Sequence, residues 1–191
     1  MFSLSCILFA GGKSSRMGED KSLLPFGGYT TLTEFQYTRL KKIFTRVYIS
    51  TKNRDKFDFD SDFILDPIHV DFAPTAGFVS VLRALEDERI IVLSVDTPFV
   101  DERVFQTLID ADLPELDAVI ARTSEGSHPM CGIYHRSLLG NFERMLTDGD
   151  HRLGKLLASS RTRFVDFTDE ALFSNLNHPH EYQEALKRLN R

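Results

Sequence analysis

Two adjacent glycines, Gly11 and Gly12, close an apolar run and open a short loop that carries Lys13, Ser14, Ser15, Arg16 and Lys21. Polyphosphate is the natural guest for such a loop. Glycines let backbone N–H groups approach phosphate oxygens closely, Arg16 offers a planar fork and Lys21 a point charge. The spacing is not that of a Walker loop: no glycine stands five residues before a Gly-Lys-Ser/Thr, and there is no G-x-G-x-x-G dinucleotide fingerprint. A β-to-α turn with solvated basic residues has the same composition, so the loop alone leaves both readings open. The second chemical residue is Asp96. It follows the run Ile90–Val95 directly and precedes Thr97-Pro98-Phe99. An acid there can hold a hard cation such as Mg²⁺, which takes one or two carboxylates beside phosphate oxygens and waters. A turn or N-cap role, worth roughly 1 kcal/mol, is the competing reading. A glycine-lysine loop on the same rim tips the balance towards the cation.

These residues need a scaffold, and the chain is long enough for one. Its 191 residues suit a single domain, 1–191, and 42% apolar content suffices for a core. The net charge of −5 speaks against a non-specific nucleic-acid binder, so the basic residues of the loop read as local, matched to a small anion. Six histidines include no H-x-x-x-H pair, and Cys6 and Cys131 stand in apolar surroundings as ordinary buried thiols. No stretch approaches the roughly 18 apolar residues of a membrane span. MFSLSCILFA lacks the basic start and the cleavage site of a secretory leader, so a cytoplasmic protein is expected.

Near-continuous apolar runs at Leu4–Phe9, Arg46–Thr51, Ile90–Val95 and Asp117–Arg122 predict strands covered on both faces, as in a parallel sheet. Phe63–Leu65, Met130–Tyr134 and Arg163–Phe167 are weaker strand candidates. Helices are predicted over Thr31–Phe44, Gly77–Asp87, Asp101–Ala111, Ser137–Leu146, Arg152–Ala158 and from Pro179 towards Leu189. The first opens with a capping-box pattern and places Leu32, Phe35, Leu40 and Phe44 near one face. Alternating strands and helices mean an α/β fold, and ligands of such sheets bind at the carboxyl ends of strands. That rule gathers the loop after Phe9, the segment Thr51–Arg54, the turn after Leu65 and the segment after Val95 on one rim.

At these positions the chain also resembles a known family. A strand ending in Ala10-Gly11-Gly12, then S-x-R-M-G over residues 14–18, Asp20-Lys21 and Leu23-Leu24 are similar to the signature of the molybdenum cofactor guanylyltransferases, and the likeness continues at intervals to residue 182. The resemblance implies a Rossmann-like (GT-A-like) nucleotidyltransferase domain, three-layered, with a largely parallel, mixed sheet. It implies an enzyme that transfers GMP from GTP to molybdopterin with Mg²⁺. By its motifs the GTP contacts fall on Phe9, Ala10, Gly11, Gly12, Lys21, Asn53, Asp66 and Asp96, with Arg16 as a further basic residue and Asp96 as the metal-holding carboxylate. Lys21, Arg16 and Asp96 would carry catalysis by positioning and charge neutralisation. Asn175, Asn177 and His128 match the acceptor side. Relatives using other nucleotides tend to carry Ala-Ala-Gly, so Gly11 makes room for a purine.

Read from the residues alone, Asn53 is equally a loop residue, Asp66 a turn initiator before Pro67, and His128 a solvated loop histidine. For Asn175 and Asn177 the competing local reading is that they satisfy backbone groups at a helix entrance. The chain departs from the family where G-P-L-A-G reads Ala73-Pro74-Thr75-Ala76-Gly77, where Phe9 replaces Leu, and where His178 replaces a capping Thr. The resemblance further implies other cofactor-biosynthesis proteins as partners, while the net charge and the lack of a long apolar stretch speak against nucleic acid and membrane. Rival readings are a related nucleotidyltransferase (CMP to the same cofactor, or a sugar or phosphate acceptor) and a non-catalytic GTP- or cofactor-binding adaptor.

Overall fold

The computed structural model describes residues 1–11, 18–67 and 74–189. Among the described residues seven strands run β1 (Phe2–Phe9), β2 (Phe44–Thr51), β3 (Phe63–Leu65), β4 (Arg89–Ser94), β5 (Ala118–Thr123), β6 (Gly126–His135) and β7 (Thr162–Asp166). They form one mixed sheet in the order β3-β2-β1-β4-β6-β5-β7. β1 to β4 are mutually parallel, and β6 runs antiparallel between β4 and β5. The α-helices that cover it, among the described residues, are α1 (Leu32–Leu40), α2 (Pro74–Ala84), α3 (Glu102–Asp110), α4 (Leu139–Asp148), α5 (Leu153–Ala158) and α6 (Pro179–Leu189).

The side-chain period of two divides the strands between two cores. Cys6 and Leu8 of β1 join α1, α3 and α6 through Leu32, Leu40, Val104, Phe105 and Ala185. Ile7 and Phe9 join α2, α4 and α5 through Phe78, Leu82, Phe142 and Leu156. The result is the three-layer α/β architecture expected, with helices on both faces. Among the described residues no helix is long and apolar enough to cross a membrane.

Several boundaries move, each for a physical reason. α1 ends at Leu40, not at Phe44, because Phe44 opens β2 and packs its ring 5.3 Å from Phe2 and 5.0 Å from Phe105. Its buried face is Leu32, Thr33, Gln36 and Leu40, with Phe35 only partly buried. The cap is split: Thr31 Oγ1 accepts the N–H of Glu34, but Glu34 reaches back to the N–H and hydroxyl of Thr30. β6 starts at Gly126, earlier than the apolar run suggested, and Pro129 falls where its register with β5 shifts, a place that needs no ladder donor.

α2 begins at Pro74, so Thr75, Ala76 and Gly77 are helical and not part of a turn. Thr75 is fully buried and its hydroxyl pairs with His151 Nδ1 at 2.7 Å, which satisfies the polar group that replaces a leucine. Ala73 lies outside the described residues. Gly77 lets α2 lie directly on the sheet: a Cβ there would stand 2.6 Å from Phe9 Cε1 and 2.8 Å from Ser50 Oγ. Gly77→Ala is therefore expected to destabilise the protein by about 1–3 kcal/mol despite the better helix propensity of alanine. A Gly11→Ala variant, whose Cβ meets Asp66 Oδ2 at 4.0 Å and nothing nearer among the described residues, should unfold like the parent, and urea titration of both variants measures the difference.

Candidate active site

The parallel ladder runs one step past the strands and fixes the rim. The N–H of Ala10 donates to Ser50 O at 2.9 Å, that of Asp66 to Thr51 O at 2.9 Å, and that of Val95 to Phe9 O at 3.0 Å. Ala10, Asp66 and Asp96 thus leave the ends of β1, β3 and β4 at one level. The Phe9 ring is 6% exposed and lies against Phe78 at 5.0 Å. The side chain of Phe9 belongs to the core, so any contact of Phe9 with a nucleotide would be made by its backbone at the rim.

Lys21 stands in a 3-10 turn, Lys21–Leu23, capped by Asp20, whose carboxylate accepts the N–H of Ser22 at 3.0 Å and its hydroxyl at 2.7 Å. From there the Lys21 ammonium reaches Asp96 Oδ2 at 2.6 Å and Asn177 Oδ1 at 2.9 Å. The other Asp96 oxygen accepts the Ser94 hydroxyl at 2.6 Å. The lysine and aspartate side chains are only 14% and 16% exposed. Asn177 is delivered by the backbone: Leu176 N–H donates to Asp96 O at 2.9 Å, and Glu181 Oε2 accepts the N–H groups of Asn177 and His178 at 2.6 and 2.8 Å. Glu181 thus caps the entrance of α6, where His178 was expected to cap weakly.

Lys56 belongs to none of the motifs read from the sequence. Its ammonium bridges Ala10 O at 3.3 Å, Asp20 Oδ2 at 2.8 Å and Ser22 Oγ at 2.9 Å, tying the start of the glycine loop to its end. Burial pushes the Asp20 carboxyl up, but the Lys56 and Ser22 hydrogen bonds outweigh it and hold it below the usual range. A carboxylate before Lys21 that needs a partner was the available signal.

The other expected residues divide. Gly11 faces Asp66. Asn53 is exposed and its Oδ1 accepts the N–H of Asp55 at 2.9 Å, an Asx turn, so the local role is realised. Asn175 and His128 line a cavity of about 510 Å³ together with Phe99, Phe173 and Asn177, so it abuts the Lys21–Asp96 pair through Asn177. His128 is half-buried against the Phe173 ring at 4.6 Å, with Nε2 3.0 Å from Thr123 Oγ1, and burial lowers its pKa. It is not a solvated loop residue. Gly12 and Arg16 lie outside the described residues.

A family model described as the MobA-like NTP transferase domain matches residues 6–164. The chain belongs to that family. It is a nucleotidyltransferase, and 97% of it aligns at 37% identity with 97% of the molybdenum cofactor guanylyltransferase of Campylobacter jejuni (strain RM1221). It is 30% identical over 190 residues to the molybdenum cofactor guanylyltransferase of Helicobacter pylori (strain G27), covering 97% of this chain and 92% of that one. The crystal structure of molybdopterin-guanine dinucleotide biosynthesis protein A from Archaeoglobus fulgidus shares the fold, with a TM-score of 0.84 at 19% identity over 98% of this chain and 99% of that one.

One carboxyl of this MobA-like NTP transferase is held against its own stability. Burial pushes Asp66 up to about 6, against hydrogen bonds from Ser50 Oγ at 3.0 and 3.2 Å and the charge of Lys52. A carboxyl that keeps its proton longer when folded binds more protons in the native state, so stability falls as pH rises from 3.8 through about 6. Asp66→Asn should therefore gain on the order of 2 kcal/mol at about pH 8 and almost nothing at about pH 4. Urea midpoints of both proteins at the two pH values measure this, and an equal difference at both contradicts it.

Proposed function

We propose that this protein transfers GMP from GTP to molybdopterin, giving molybdopterin guanine dinucleotide and pyrophosphate. The observation that carries the reading is the meeting of Lys21, Asp96 and Asn177 at the carboxyl ends of β1 and β4, beside a cavity large enough for a second substrate. The names of the Campylobacter and Helicobacter relatives support the choice of nucleotide and acceptor.

The donors at the rim are hard oxygens, and among the described residues no group of three or more His, Cys, Asp or Glu side chains could form a protein cage for a metal. That suits Mg²⁺, which keeps its waters and takes one or two carboxylates beside substrate phosphates. Asp96 is the carboxylate that would hold it, and when bound it would neutralise charge on the phosphate. Lys21 would exchange the carboxylate of Asp96 for a phosphate oxygen, one anion for another. An oxygen of the acceptor's terminal phosphate then attacks the α-phosphorus of GTP. The bond from that phosphorus to the α–β bridging oxygen breaks, and pyrophosphate leaves with the electron pair. The nucleophile is already an anion, so no general base is required. Lys21 and Arg16 would stabilise charge towards the leaving group, while Asn175, Asn177 and His128 orient the acceptor. Gly11 has no Cβ between Asp66 and the open rim, which leaves space for a purine. On this reading the cytoplasm, which supplies GTP and keeps thiols such as Cys6 and Cys131 reduced, is the compartment we propose.

Lys21→Ala and Asp96→Ala should each lower pyrophosphate release from Mg²⁺-GTP and molybdopterin by about a hundredfold or more, with unchanged far-ultraviolet circular dichroism. Near-normal turnover by either variant removes the assignment. In calorimetry GTP should bind more tightly than CTP, and Gly11→Ala should weaken GTP binding; tighter CTP binding by the parent protein would instead favour a cytidylyl donor.

A further inference from the structure

Helix α1 carries polar side chains on the face where an amphipathic helix carries apolar ones. Thr33 and Gln36 are both fully buried. The Thr33 hydroxyl donates to Ser22 O at 2.8 Å, within the turn that holds Lys21. One turn further on, Gln36 Nε2 donates to Val95 O at 3.2 Å, the carbonyl immediately before Asp96. The Gln36 oxygen accepts both Nε and Nη2 of Arg39, at 3.2 and 2.6 Å, and Arg39 Nη1 donates to Val100 O at the far end of the same segment.

We propose that α1 is a positioning jig: through Thr33 it sets the height of Lys21, and through the Gln36–Arg39 pair that of Asp96, so that one rigid helix fixes the distance between the two. The proposal rests on the reading of Lys21 and Asp96 given above. Three observations support it. The side chains lie at i, i+3 and i+6, along one side of the helix, so their separations are set by helix geometry. Their targets are backbone carbonyls of the two segments that present the charged pair. And the arrangement is a poor way to gain stability: burial pushes the Arg39 guanidinium down to about 10, and it is bonded to neutral oxygens where leucine or methionine would fill the space at lower desolvation cost. None of the three residues touches the reacting groups, so each would be a positioning residue.

Thr33→Val and Gln36→Met remove the donors, while Thr33→Ser keeps the hydroxyl. Crystal structures of the variants should show Lys21 Nζ and Asp96 Oδ2 parted beyond about 3.5 Å in the first two and still in contact in Thr33→Ser. In the presence of GTP, Mn²⁺ affinity read by electron paramagnetic resonance should fall on the order of tenfold or more in Thr33→Val and Gln36→Met. Turnover should fall with it, chiefly in kcat with KM for GTP less changed, and Thr33→Ser should match the parent. If Gln36→Met does not fold, Thr33→Val carries the test alone. An undisturbed Lys21–Asp96 contact in the folded variants, whatever their activity, overturns the proposal. Parted charges in the variants, beside a parent protein that takes up no Mn²⁺ with GTP, would uphold the jig and count only against the functional reading.

Discussion

On the function proposed here, the chemistry of this fold depends on one contact, the 2.6 Å pair between the Lys21 ammonium and the Asp96 carboxylate. The two residues are 75 positions apart in the chain, and Asn177 joins them from 156 positions beyond Lys21. Taking both charges largely out of water is expensive, and their mutual attraction offsets that only because Ser94 and Asn177 satisfy further lone pairs and protons. Apolar residues of similar volume would hold the segments together at least as well. On the proposed function each later changes partner, a phosphate for the carboxylate and a divalent ion for the ammonium, and the pair would be a charge-balanced resting arrangement of the site.

The sheet supplies the precision that such an exchange needs. Phe9, Ser50 and Ser94 are in register across β1, β2 and β4, so the segments that follow leave the sheet at one height. Gly77 allows α2 to press on Phe9 and Ser50 from one face, while α1 presses from the other with Thr33, Gln36 and Leu40. Lys56 closes the glycine loop like a pin. Close packing on both faces leaves few ways for the rim to relax, which is the condition for catalysis by positioning.

Much of this was legible in the sequence. Continuous apolar runs identify β1, β2 and β4, because strands buried on both faces have no polar side to show. Lys21 and Asp96 stand out as candidates because a basic loop after two glycines and an acid after such a strand fall on one rim, although each taken alone has a purely local reading. The remainder was hidden where one signal serves two purposes. Phe44 continues the helical spacing of α1 yet belongs to β2, since a strand-opening aromatic and a core-facing helical one look alike. Asn53 can cap its own turn as readily as bind a ligand, and its Oδ1 makes the turn bond that the residue type alone could not announce. Thr33 and Gln36 look like surface residues by type, and their burial depends on carbonyls supplied from distant segments. Lys56 is one charge among many until the fold brings Ala10, Asp20 and Ser22 around it.

The most direct measurement is a crystal structure with Mg²⁺ and a non-hydrolysable GTP analogue. The expected result is Lys21 lifted from Asp96 onto a phosphate oxygen, with the divalent ion on the vacated carboxylate and the purine beside Gly11. An intact Lys21–Asp96 pair with the nucleotide bound elsewhere would contradict the central claim.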